Sequence, residues 1–189
     1  MAANFKREKG AYGEIRAMPR PTQEELDAFY NGVYYSEGVT TTYSAEYDES
    51  ELAQKQLRAD MTVEALVQNL PTLSAGTTFL EVGAGEGFVL NAASKRGLSI
   101  QGVDYQIAPI KKFNPAVVDR FHATDPNAFL RDCIASQKQF EGIVLQNVLE
   151  HVIDPEGLLA GLRQVLSKDG ILLVQIPNDF SALQSLAME

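Results

Sequence analysis

The chain has 189 residues, 45% of them hydrophobic and 22% charged, which suits one globular domain with a sizeable core. Acidic residues outnumber basic ones 25 to 16, and a net charge of −9 repels a phosphate backbone, so nucleic acid is not an expected partner. The one cysteine, Cys133, has no partner for a disulfide or a metal site, so we expect no metal and a cytoplasmic location. Neither a signal peptide nor a membrane span is predicted.

The first 49 residues are predicted to form an arm that is distinct from the rest of the chain. Residues 1 to 22 mix charges, glycines and prolines without a period, which predicts irregular structure. Thr22 and Glu25 have the spacing of a capping box, so a helix should begin there. Five of the seven tyrosines lie between Tyr30 and Tyr47. This segment could form a lid or substrate wall, or an arm packed on the surface, and both interpretations stay open.

Residues 50–189 alternate between helical and strand patterns and are predicted to form the second domain. An amphipathic helix is expected over residues 50–70, ahead of the first strand. The strands are predicted at residues 77–82, 99–103, within 116–121, 142–146 and 171–176. The helices between them are predicted at residues 86–96, 107–113, 126–137 and 155–166. Because the strands are nearly all apolar and alternate with helices, they indicate an α/β fold with a doubly wound, mostly parallel sheet.

The glycine-rich sequence Gly83–Gly87 directly follows the first of these strands and predicts a tight turn that cradles a nucleotide. A P-loop is excluded because Phe88 and Val89 stand where lysine and serine or threonine would be needed. A dinucleotide fingerprint is weakened but stays open, because Phe88 occupies the place of its third glycine. Glu81 precedes the turn, and Asp104 ends the next strand at the position of a ribose-binding carboxylate.

Four motifs in order resemble those of the class I S-adenosylmethionine-dependent methyltransferases, especially the small-molecule branch related to ubiquinone-pathway enzymes. These motifs are residues 80–87, 102–104, 147–155 and 166–172. The resemblance implies a Rossmann-like methyltransferase fold with S-adenosylmethionine as cofactor and S-adenosylhomocysteine as product. It also implies a small-molecule acceptor, with O-methylation as the expected reaction.

The resemblance further implies which residues bind the cofactor. They are Glu81, Gly83, Ala84, Gly85 and Gly87 at the methionine half, Asp104 at the ribose, Tyr105 and Asp125 at the adenine, and Gln146 and Asn147 at the methyl-donor pocket.

The acceptor is expected over the carboxyl ends of the fourth and fifth strands, where Tyr30, Tyr34, Tyr35 and Asn178 would contact it. His151 is the candidate catalytic residue, as a general base or as a gate, because imidazole titrates near working pH. It could instead be a structural residue that orders the loop before the next helix.

The sequence ends soon after the fifth predicted strand, whereas this family usually continues into another helix and an antiparallel pair of strands. We therefore expect a shortened fold that lacks the last two strands. The exposed edge of the fifth strand could be covered by a partner or a second copy, by residues 180–188, or by residues that this sequence lacks. Two alternatives to the methyltransferase stay open. One is a non-catalytic S-adenosylmethionine-binding or partner module, and the other is a nicotinamide-dependent oxidoreductase.

Overall fold

The computed structural model describes residues 6–32 and 46–177, and the chain divides into two units, residues 1–44 and 45–189. In the first unit, strands β1 (Lys6–Lys9) and β2 (Ile15–Met18) pair antiparallel. This hairpin shows that the expectation of an irregular arm was wrong. The Gly10 N–H donates to the Glu14 carbonyl oxygen and closes the turn, while charged, exposed strand residues leave no hydrophobic alternation to detect.

Helix α1 (Gln23–Gly32) begins where the capping box predicts. The Thr22 N–H donates to Glu25 Oε2 at 2.8 Å, and the Glu25 N–H donates to Thr22 Oγ1 at 3.2 Å. The two residues therefore satisfy each other's backbone donors at the helix start, as the sequence spacing indicates.

The second unit contains a five-stranded sheet in which every neighbouring pair is parallel, in the order β5-β4-β3-β6-β7. Its strands are β3 (Thr78–Val82), β4 (Ser99–Asp104), β5 (Phe121–Ala123), β6 (Phe140–Gln146) and β7 (Leu166–Gln175). Its helices are α2 (Glu49–Val67), α3 (Phe88–Lys95), α4 (Ala108–Phe113), α5 (Pro126–Ala135) and α6 (Pro155–Val165). The α/β, doubly wound architecture is confirmed.

Helices cover both faces of the sheet because alternate strand residues point to opposite sides. Phe79 on β3 packs into a core cluster that includes residues of α2 and α3. Its neighbour Leu80 packs into a second cluster that includes residues of α5 and α6. Both side chains are fully buried, which explains why the strands read as continuous apolar runs.

Three of these helices begin at an aspartate that serves as the N-cap. Asp125 and Asp154 accept backbone N–H groups at the starts of α5 and α6, each followed by a proline. Asp48 forms a capping box with Glu51 and sets the start of α2, a signal that the sequence interpretation passed over. Among the residues that the structure describes, no helix combines the length and the hydropathy that a membrane span requires.

Two predicted boundaries were wrong. The stretch Pro115–Arg120 forms a 3-10 helix, so the third sheet strand starts only at Phe121. The last strand begins directly after α6, at Leu166 rather than at residue 171, so the residues between the predicted helix and the predicted strand lie inside β7. The register shifts there, since Leu166 pairs with Phe140 while Ile171 pairs with Gly142. A turn-forming sequence is thus accommodated as an irregularity within a strand.

Candidate functional site

The strand order reverses between β3 and β6, and their carboxyl ends mark the candidate site. From β3 the chain continues to β4 and then β5 on one side, whereas β6 and β7 lie on the other side. Loops that leave adjacent strands in opposite directions open a crevice, which is where open α/β sheets bind ligands. The predicted glycine turn follows β3 and therefore lies at this point.

The glycine turn requires glycine for both conformation and space. Gly83, Gly85 and Gly87 have φ values of 75°, 47° and 77°, in the left-handed region. A Cβ on Gly83 would collide with Val148 Cγ2 in the loop after β6, and one on Gly87 would lie 2.7 Å from Ile110 Cδ1. The two loops that border the crevice thus touch each other directly.

Asp104 holds the turn from the end of β4. The Gly85 N–H donates to Asp104 Oδ2 at 2.9 Å, and the Tyr105 N–H donates to Asp104 Oδ1 at 2.6 Å. The residue is 8% exposed. A carboxylate has about four acceptor sites, so a group in this position can accept hydrogen bonds from a ligand's hydroxyls as well as from the backbone.

Glu81 lies at the base of the turn and is 4% exposed. Burial raises the pKa of its carboxyl well above the ordinary range, the Leu90 backbone N–H opposes the shift, and the charge of Asp104 adds to it. Within the described part of the chain, Glu81 Oε2 has no hydrogen-bond partner. A buried acceptor without a partner is costly, and a ligand donor placed here would satisfy it.

Tyr105 and Asp125 are brought together across the ends of β4 and β5. The Tyr105 hydroxyl donates to Asp125 Oδ2 at 2.9 Å. The other oxygen, Asp125 Oδ1, accepts the Ala128 N–H at 2.7 Å as the cap of α5. The helix start therefore fixes the carboxylate, and the carboxylate in turn orients the tyrosine ring.

The carboxyl end of β6 forms the other side of the crevice. Asn147 has a φ of 52°, and its N–H donates to the Gln175 carbonyl oxygen at 2.8 Å. Gln146 Nε2 donates to Gln175 Oε1 at 3.2 Å. The left-handed asparagine turns the chain out of the strand, so both predicted residues lie where β6 and β7 end together.

His151 ends the 3-10 turn Leu149–His151 that follows β6. Its side chain is 44% exposed, and its Nε2 lies 3.7 Å from Glu150 Oε1. The His151 N–H donates to the Val148 carbonyl oxygen, which links it to the residue that packs on the glycine turn. An exposed imidazole close to the crevice is compatible with either of its predicted roles.

The structure does not describe the side chains of the residues predicted to contact the acceptor. Tyr34, Tyr35 and Asn178 lie outside the described residues, and of Tyr30 only the backbone, in α1, is described. The acceptor contacts therefore stay predictions.

Glu86 is a site residue that the motif comparison did not single out. It is 6% exposed and accepts hydrogen bonds from the Tyr47 hydroxyl and the Lys55 ammonium. Asn114, which is 5% exposed, donates to the Glu86 carbonyl oxygen. The one available signal was a charged residue between two glycines of a tight turn, which requires a partner if it is buried.

Known proteins show the same fold. The solved structure of the plantazolicin methyltransferase BpumL in complex with SAH matches with a TM-score of 0.57 and 20% identity, covering 82% of this chain and 58% of that one. A SAM-dependent methyltransferase from Archaeoglobus fulgidus matches with a TM-score of 0.54 and 22% identity, covering 74% and 63%. At these identities the likeness shows a shared Rossmann-like methyltransferase fold.

Sequence comparison shows the family. The ubiquinone biosynthesis O-methyltransferase of Histophilus somni is 28% identical over an alignment of 105 residues that covers 52% of this chain and 44% of that protein. The aligned part thus spans less than half the length of this relative. The family model described as a methyltransferase domain matches residues 52–189, most of the chain. This protein therefore belongs to the methyltransferase domain family.

Proposed function

We propose that this protein transfers the methyl group of S-adenosylmethionine to a small-molecule acceptor. The observation that carries the proposal is the crevice at the strand reversal, where the glycine turn, Glu81 and Asp104 converge. Family membership supports a methyltransferase, and the acidic protein surface implied by the net charge of −9 suits a small acceptor better than a nucleic acid.

The residues present fit the proposed cofactor. Glu81 Oε2, which has no hydrogen-bond partner among the described residues, would accept a hydrogen bond from the methionine ammonium. The Gly83–Gly87 turn would let that half of the cofactor approach the backbone closely. Asp104 would accept from the ribose hydroxyls, while Tyr105 and Asp125 would border the adenine. When bound, the cofactor would supply a methyl group on a sulfonium sulfur, and the thioether that the transfer leaves behind is neutral and needs no protonation.

The protein's own task is then alignment of the acceptor, exclusion of water and, for a hydroxyl acceptor, removal of a proton. Gln146 and Asn147 would border the methyl-donor pocket, and His151 would be the base in O-methylation. The acceptor would also meet Tyr30, Tyr34, Tyr35 and Asn178. The name of the Histophilus somni relative, an O-methyltransferase, supports transfer to oxygen.

Two further expectations belong to this proposal. In the described residues β7 pairs only with β6, so its other edge is a candidate surface for a second copy or a partner. The cytoplasm remains the proposed location, because the one cysteine, Cys133, is buried as a free thiol.

Calorimetric titration with S-adenosylmethionine, S-adenosylhomocysteine and NAD tests the proposal. We expect the two sulfur compounds to bind and NAD not to bind. Asp104→Ala should raise the Kd for S-adenosylhomocysteine about a hundredfold, since it removes a buried, charge-assisted acceptor. The matched control is Asp119→Ala, which removes an exposed acid and should leave the Kd unchanged.

NAD binding without S-adenosylhomocysteine binding would overturn the proposal in favour of an oxidoreductase. Binding of S-adenosylhomocysteine without methyl transfer to any of a panel of phenolic and alcoholic acceptors would favour the non-catalytic module instead.

A further inference from the structure

Glu86, between Gly85 and Gly87 in the glycine turn, is held by Lys55 of α2 and by Tyr47, which lies just before that helix. The Tyr47 hydroxyl donates to Glu86 Oε1 at 2.6 Å, and Lys55 Nζ donates to Glu86 Oε2 at 2.8 Å. Both carboxylate oxygens are therefore engaged from the same direction. The Lys55 ammonium provides the charge that a carboxylate at 6% exposure needs.

The two donors also contact each other and an aromatic neighbour. Lys55 Nζ lies 4.3 Å from the centroid of the Tyr47 ring, and that ring lies 4.9 Å from the ring of Phe113. Partial burial by itself lowers the pKa of the Lys55 ammonium, but its hydrogen bonds to Glu86 and Tyr47 outweigh burial and raise the pKa. The cluster is therefore an ordered, charged contact rather than a loose surface pair.

The backbone of Glu86 is held by residues that follow it in the sequence, whereas Tyr47 and Lys55 precede it. Asn114 Nδ2 donates to the Glu86 carbonyl oxygen at 2.8 Å, and Asn91 Nδ2 donates to Asn114 Oδ1 at 2.8 Å. Side chain and backbone of Glu86 are thus both anchored. Gly85, its neighbour, makes the hydrogen bond to Asp104 described above, so a displacement of Glu86 would move that contact too.

We propose that Lys55 and Tyr47 are positioning residues for cofactor binding, which act by holding Glu86 and thereby the geometry of the glycine turn. This inference rests on the proposed function, because it assigns a role in S-adenosylmethionine binding to a helix that otherwise only covers the sheet. Without Lys55, the Glu86 carboxylate would be left buried with no cation to balance its charge, and the turn would shift to bring it to water. The backbone path that the cofactor approaches would shift with it.

Calorimetric titration of three single variants with S-adenosylhomocysteine tests the inference. Lys55→Met removes the ammonium and keeps the length of the stem, and Tyr47→Phe removes only the hydroxyl. The control is Arg96→Met, which breaks an ion pair to Glu64 that also joins α2 to the end of α3 but does not touch the turn. We expect the Kd to rise about tenfold in Lys55→Met, less in Tyr47→Phe, and not at all in Arg96→Met.

Two measurements separate positioning from a general loss of stability. Lys55→Arg keeps the charge and should bind S-adenosylhomocysteine with most of the wild-type affinity. If Lys55 acted only by packing, the bulkier guanidinium would not restore the affinity that Lys55→Met loses. With a known acceptor, Lys55→Met should raise the KM for S-adenosylmethionine with kcat nearly unchanged, because the residue lies away from the reacting atoms.

Hydrogen exchange provides a readout that does not depend on cofactor binding. In ligand-free protein, the amides of residues 83–88 should exchange faster in Lys55→Met and Tyr47→Phe than in wild type or Arg96→Met. If wild type fails to bind S-adenosylhomocysteine, the proposed function fails, and the exchange rates still decide whether the turn is held as inferred. Wild-type exchange rates in both variants would overturn the inference, as would an unchanged Kd.

The test can still be carried out if one of the variants does not fold. If Lys55→Met does not fold, Tyr47→Phe and the double variant Lys55→Met/Glu86→Gln take its place, since the double variant removes both charges together. The double variant should still show faster exchange at the turn and weaker S-adenosylhomocysteine binding. Wild-type values for both measurements would contradict the inference.

Discussion

The two sides of the crevice are built differently. On the glycine-turn side, Glu81, Asp104 and Glu86 are 4%, 8% and 6% exposed. On the side where β6 and β7 end, Asn147 is exposed and the His151 side chain is 44% exposed. Buried polar groups require defined partners, whereas exposed ones exchange protein contacts for water. The comparison indicates that the proposed contacts to the methionine half and the ribose are preorganised by the fold, while the side where the methyl donor would meet the acceptor can vary without disturbing them.

The largest expected effect comes from adding a side chain at Gly83, where the glycine turn contacts Val148 on the other side of the crevice. Gly83→Ala should destabilise the protein by about 3 kcal/mol, because alanine is strained at a φ of 75° and its Cβ collides with Val148. Urea unfolding measures the loss, and the Kd for S-adenosylhomocysteine should rise in parallel. The combined variant Gly83→Ala/Val148→Ala should recover the part that is due to the collision.

Gly97→Ala is the matched control for this prediction. Gly97 has a φ of 78°, similar to that of Gly83, but nothing lies within 4 Å of an added Cβ. Gly97→Ala should lower the free energy of unfolding only through backbone strain, by about 1 kcal/mol, and should not affect cofactor binding. Equal losses in the two variants would show that the packing of Val148 on the turn is unimportant.

A smaller effect of opposite sign is expected at Glu81. Its pKa is raised in the folded protein, so on raising the pH the unfolded chain loses this proton first, near 4.5, and the folded protein later. The stability contribution is complete below that pH and is lost as the pH rises through the folded pKa. Glu81→Gln should therefore make the ligand-free protein more stable at pH 8, by about 1 kcal/mol, while weakening cofactor binding.

Thermal unfolding from pH 5 to pH 8 checks the prediction for Glu81. The difference in Tm between variant and wild type should grow with pH. Glu141→Gln is a useful contrast, because Glu141 accepts hydrogen bonds from the Thr78 N–H and hydroxyl at 2.8 and 3.2 Å. That variant should lose stability. A Tm difference for Glu81→Gln that shrinks as the pH rises would contradict the direction of the pKa shift.

The smallest effect on the folded protein is expected at His151. His151→Ala should change the free energy of unfolding by less than about 0.5 kcal/mol, because the side chain is partly exposed to solvent and packs in no buried cluster among the described residues. The Kd for S-adenosylhomocysteine, measured by calorimetry, should also stay at the wild-type value. A large rise in that Kd would remove the distinction between the two sides, since it would place His151 among the cofactor contacts.

Local chemistry explains which elements could be predicted. Pro126 and Pro155 follow capping aspartates, so the starts of α5 and α6 are readable from neighbouring residues alone. The strand at Phe121–Ala123 was misplaced because its three residues are too short for a period to be recognised. At β7, residues 167–170 have a turn-like composition, but pairing with β6 on both sides of them keeps them in the strand.

The sequence by itself determined the doubly wound sheet, the glycine turn, and the positions of Glu81 and Asp104 beside it, because apolar periods and glycine spacing are local signals. Only the tertiary structure decided that Val148 packs on Gly83 and that Tyr47 and Lys55 hold Glu86. Those contacts join residues 31 to 65 positions apart in the chain. No local pattern encodes such pairs, since they arise from the order in which the strands assemble into the sheet.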